Sequence, residues 1–213
     1  DLHRVDRRQR QMCIRDSTTT VQTTTTQQVS IANETAVSTT SSGTSVSQAT
    51  AAASSSQNQS KYEANVASVA GKMDNRVIAA YQQLGFKLVV DPSVNYSGYF
   101  DARSRSITMK QIDDSVYHEL GHFLAFIAGN ADKTASFQSI FAAEKANVTA
   151  FNKAYVTQNA SEYFAESVKD YILNNASLKS SRPQTYAAVQ NALNQITDAQ
   201  IAKIQKIYGA FWN

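Results

Sequence analysis

From Ser17 to Ser60 the chain is mainly serine, threonine, glutamine and alanine, with one formal charge at Glu34 and no aromatic residue. Such a segment cannot bury enough apolar surface to offset the entropy of ordering it, so a solvated linker is expected there. Any hydrophobic core must then come from residues 61–213, and roughly 150 residues is enough for one domain. Residues 1–16 break from both compositions. They carry Arg4, Arg7, Arg8, Arg10 and Arg15 against Asp1, Asp6 and Asp16, together with Cys13, and read as a non-native tail outside the fold. The expected division is therefore tail 1–16, linker 17–60 and folded domain 61–213.

The net charge of +3 and pI of 8.9 owe most of their excess to that tail, since without it 15 basic residues face 14 acidic ones. A basic tail is not a basic patch, and a nucleic-acid partner is not expected. No apolar run reaches the length of a membrane span. The only cysteine, Cys13, lies outside the expected domain, so no disulfide can staple it. A cysteine-free domain behind a Ser/Thr-rich tether fits a secreted or cell-surface protein of a bacterium, with any export signal removed or missing, and a monomer is expected.

Within the domain, Val66, Val69, Ala70, Met73, Val77, Tyr81 and Leu84 recur at three- and four-residue steps before Gly85, which predicts one amphipathic helix. Phe86–Val90 predicts a strand closed by Asp91-Pro92. Two further strands are expected at about 98–101 and 106–110. Helical spacing returns from Asp113 to about Ala128, over Ala160–Leu173, and along a long final segment from Pro183 to Phe211. The pattern predicts an α+β fold: a small N-terminal sheet followed by a mostly helical C-terminal part.

The stretch VYHELGH, Val116–His122, places His118 and His122 one helical turn apart on the same face. Two imidazoles so placed can reach one metal ion. Glu119, on the flank of that pair, can reach a water at the ion without occupying the ion itself. This is the arrangement a zinc peptidase needs: the ion lowers the pKa of the water and the carboxylate takes its proton. Gly121, without a side chain, lets another part of the protein or the substrate approach closely. Apart from His3 in the tail these are the only histidines, so a third protein ligand must be acidic. After Glu119 the carboxylates are Asp132, Glu144, Glu162, Glu166, Asp170 and Asp198. The extended histidine motif and later methionine turn of metzincins are absent. Glu162 and Glu166 share one helical face; periodicity does not say which would ligate, and the other can accept an imidazole N–H.

HELGH followed by SEYFAES (Ser161–Ser167) resembles the metallopeptidase domain of the anthrax lethal factor type, the group that includes the secreted bacterial Pro-Pro endopeptidases. Proteins of that group pair HExxH with Tyr-x6-Glu-[Phe/Tyr]-Phe-Ala-Glu, and here Tyr155 stands seven residues before Glu162-Tyr163-Phe164-Ala165-Glu166. The resemblance is strong over 118–166, extends over about 61–213 and is absent before 60. It implies a zincin-like domain with one catalytic zinc held by His118, His122 and Glu162. It further implies Glu119 as general base, Tyr155 as the phenol that stabilises the oxyanion, and Glu166 as the carboxylate behind an imidazole.

The expected activity is a zinc endopeptidase acting on an extended protein or peptide segment, with Pro-rich sites as a family option. SITMK, Ser106–Lys110, is the expected unpaired edge strand for that segment, with Ile107 and Met109 on one face. The competing reading is a tethered surface-binding or structural domain with a non-catalytic zinc. Glu119 separates the two, because a structural site closes all four positions and has no use for a free carboxylate.

Overall fold

The computed structural model describes residues 60–212. The expected tail, and the linker as far as Gln59, lie outside the described residues. The chain enters as a short strand β1 (Tyr62–Ala64), followed by two helices, α1 (Val66–Val69) and α2 (Asn75–Gln83). One continuous helix was the expectation here. The break follows from two separate helix caps: Asn65 accepts from the amides of Ala67 and Ser68 to start α1, and Asp74 accepts from that of Arg76 to start α2. Ala70 and Met73 in the intervening turn stay buried, so the apolar spacing survives a break in the backbone that produced it.

Strand β2 (Lys87–Val90) leads to the hairpin of β3 (Gly98–Asp101) and β4 (Ser106–Met109). The sheet order is β1-β2-β4-β3, with β2 and β4 parallel and the outer pairs antiparallel. This corrects the expectation for Ser106–Lys110. Strand β4 is interior, hydrogen-bonded to β2 on one side and β3 on the other, and Ile107 and Met109 are wholly buried. The reason is topological: β2 crosses over to take one flank of β4, and the hairpin folds back to take the other. The edge beside the following helix is β3.

That helix, α3 (Ser115–Ile127), is buried on almost every side, as a central helix must be. Asp113 starts it by accepting from the Ser115 amide at 2.9 Å, and Gly129 and Asn130, both at positive φ, end it. After it come α4 (Ala135–Glu144), α5 (Lys153–Val156), α6 (Ala160–Leu173), α7 (Asn175–Ser181), α8 (Pro183–Asn194) and α9 (Asp198–Trp212). The expected long final helix is again two, the second begun by Thr197, whose hydroxyl accepts from the Gln200 amide. Among the described residues no helix is long and apolar enough to cross a membrane.

Helix α3 is sandwiched between the sheet and α6. On the sheet side Phe86, Phe100, Phe123 and Phe126 meet with ring centroids 4.9–6.3 Å apart. On the far side of α6, Glu144 caps α8 from outside by accepting from the amides of Gln184 and Thr185, and the Thr185 hydroxyl bridges to Tyr163 at 2.7 Å. Arg182, buried, binds Ser167 and Asp170. The end of α9 clasps the β3–β4 turn. Trp212 donates its indole N–H to the Ala102 carbonyl at 2.9 Å, and the guanidinium of Arg105 donates to the Trp212 carbonyl and lies over its ring.

Candidate metal centre

Two backbone features bring the candidate ligands together. Asn159 accepts from the amides of Ser161 and Glu162, both at 2.9 Å, so the first turn of α6 is fixed where Glu162 leaves it. A Cβ on Gly121 would lie 2.7 Å from both Cα and O of Ala165, so α3 and α6 touch backbone to backbone at that point. His118 and His122 flank Gly121 along α3, and Glu162 and Glu166 flank Ala165 along α6. The close crossing therefore sets the two pairs against each other.

Glu162 Oε2 lies 3.1 Å from His118 Nε2 and 3.6 Å from His122 Nε2, and ligand atoms from all three side chains lie within 4.8 Å of one another. Donors bound at about 2.0–2.2 Å to one tetrahedral ion stand about 3.3–3.6 Å apart, so the two Glu162 distances lie near the spacing a zinc ion would need, and the three residues form a group that could hold a metal. Among the described residues it is the one such cluster. Three of the other acids are engaged elsewhere: Asp132 accepts from Ser161, Glu144 caps α8 and Asp170 pairs with Arg182.

Glu166 meets the opposite edge of His118, with Oε2 2.9 Å from Nδ1. An ionised carboxylate only accepts, so Nδ1 carries a proton and Nε2 is the nitrogen aimed at Glu162. Lys169 sits 3.6 Å from the other oxygen of Glu166. Burial opposes charge on His118, but Glu162 and Glu166 on its two sides override it and push the imidazole up to about 10. Burial likewise opposes charge on Glu162, and the two histidines win there too, holding its carboxyl well below the usual range. The two carboxylates thus favour the imidazolium form of His118, whose Nε2 proton must leave before that nitrogen can bind a metal. Raising the pH toward 10 removes that proton. Apparent zinc affinity should accordingly increase about tenfold per pH unit between pH 7 and 9. Competition with a zinc indicator checks this, and a flat profile would show that no proton is displaced.

Glu119 is buried beside the cluster without belonging to it. Burial raises its pKa, opposed by the charges of His118 and His122 and by the Phe100 amide. A carboxylate lifted from the ordinary range is a better base near neutral pH. Tyr155 on α5 is half-buried, its ring centroid 6.4 Å from that of His118. Ile107 and Met109 are not at the site surface. The sequence reading missed Asn159, although Asn-x-x-Glu at the head of a helix is a recognisable cap. It also missed Gly98, taken only as the start of a strand, whose carboxylate neighbour comes from another element.

Residues 101–192 match the family described as "Anthrax toxin lethal factor, N- and C-terminal domain". Over 78 residues, 35% of this chain and 34% of the relative, the sequence is 41% identical to a Pro-Pro endopeptidase of Clostridioides difficile (strain 630). Over these residues the chain is similar to proteins of the lethal-factor and Pro-Pro endopeptidase type. The chain spans about a third of the length of the curated relative it matches.

Proposed function

We propose that residues 61–213 form one zincin-like catalytic domain, a zinc-dependent endopeptidase that hydrolyses peptide bonds in extended protein segments. The observation that carries this reading is the convergence of His118, His122 and Glu162 with a fourth acid, Glu119, buried at their side and not among them. A structural zinc site has no use for such a carboxylate. When bound, zinc would lower the pKa of a water at its open position and polarise the scissile carbonyl.

His118, His122 and Glu162 would hold the ion, and Glu166 fixes the ring of His118. Glu119 takes a proton from the attacking water and returns it to the leaving amine as the C–N bond breaks. The Tyr155 hydroxyl donates to the carbonyl oxygen as negative charge develops there, an interaction stronger in the transition state than in the ground state. The peptide pairs with the outer edge of β3, which takes the role first expected of β4.

The name of the similar protein makes segments with adjacent prolines the first substrates to try. A secreted or cell-surface address rests on the composition of residues 17–60. Digestion of a peptide library by the zinc-loaded protein tests the reading and reports the preferred bond. Cleavage should vanish with a chelator and return with zinc. Unchanged cleavage by the stripped protein would end the proposal.

A further inference from the structure

Glycines in this domain have different reasons for being glycine. Gly85 and Gly129 sit at positive φ, where a side chain is strained; Gly98 does not. It lies in ordinary extended backbone at the start of β3, opposite Met109, where a glycine has no conformational advantage and weakens the strand. What it offers is room. A Cβ there would stand 2.6 Å from Oε1, 2.7 Å from Cγ and 2.9 Å from Cδ of Glu119. Two residues along the same face, Phe100 packs into the aromatic cluster against α3, so this face of β3 is the one turned toward the helix. Gly98 is the gap in that face, and the buried carboxylate fills it.

We propose that Gly98 is a positioning residue for the general base: its missing side chain forms the niche that holds the Glu119 carboxylate against the edge strand. The inference rests on the endopeptidase reading and deepens it. A peptide paired to β3 runs about 4.8 Å outside that strand. The residue that shelters the base is therefore also the rung of the sheet beside which the scissile bond must lie, and base and substrate share one register.

The contrast with Gly121 gives the proposal its signature. The atoms nearest a Cβ at Gly121 are backbone of another helix, whereas the three nearest a Cβ at Gly98 all belong to the side chain of Glu119. Gly98→Ala should thus move Glu119 and leave the fold and the metal ligands where they are. The zinc-loaded variant is expected to keep its bound zinc and KM and to lose about 10–10²-fold in kcat, the cost of a base misplaced by about an ångström.

A thermal cycle tests the contact without substrate. Gly98→Ala should lower the unfolding midpoint when Glu119 is present and leave it unmoved in a Glu119→Ala background, where the displaced atoms are gone. An undiminished kcat, or an equal fall in midpoint in both backgrounds, would overturn the proposal. A parent protein that cleaves nothing in zinc would instead overturn the endopeptidase reading. The thermal cycle tells the two failures apart, because it reads the niche alone.

Discussion

Glu119→Gln is expected to bind zinc as the parent does and to cleave about 10²–10⁴-fold more slowly, the range that loss of a general base produces. The substitution is nearly isosteric, so the amide still fits the niche beside Gly98. His118, His122 and Glu162 are untouched. What is lost is the ability to accept a proton from the attacking water. Burial also costs the amide little, since a neutral group replaces one whose charge burial already disfavours. The measurement is kcat on the best library peptide beside zinc stoichiometry by elemental analysis. Retained zinc with parental kcat would remove Glu119 from the mechanism, and lost zinc would make it a ligand.

Gly121→Ala should both destabilise the protein and weaken zinc binding, against the ordinary expectation for a helical glycine. On an exposed helix the change gains about 1 kcal/mol from lower chain entropy and better propensity. Here the new methyl would meet Ala165 Cα and O at 2.7 Å, and neither belongs to a side chain that can turn away. The two helices must separate. Overpacking of this kind costs about 1–3 kcal/mol, so after the helical gain a net loss of up to about 2 kcal/mol is expected. Separation also draws Glu162 away from both imidazoles, so zinc affinity should fall with stability. Thermal unfolding with and without zinc reads both effects. A midpoint that rises would mean the crossing is looser than described.

His118, His122 and Glu119 were legible because a helix converts sequence spacing directly into direction, and HExxH falls within a single turn and a half. Glu162 and Glu166 could be reduced to a pair but not ordered by periodicity, since both lie on the same face of α6. Only the position of α3 against α6, fixed by Gly121 and Ala165, puts Glu162 toward both Nε2 atoms and Glu166 behind Nδ1.

The strands were legible in place but not in partnership. Ser106–Met109 has the same alternation whether it is interior or at an edge, and the parallel pairing that encloses it involves β2, which precedes the hairpin in the chain. Helix breaks failed for a local reason. The buried positions around Met73 keep helical spacing through a turn, while the caps at Asn65 and Asp74 decide where the helices begin. Gly98 was illegible because its meaning depends on a side chain brought to it from α3.

The clasp at the end of α9 has a practical side. Trp212 is the only tryptophan in the sequence, and its indole is bonded to the turn that joins β3 to β4 while Arg105 lies over its face. Intrinsic fluorescence excited at the indole band therefore originates at a single address. It serves as an unlabelled optical gauge of the hairpin that carries the outer strand.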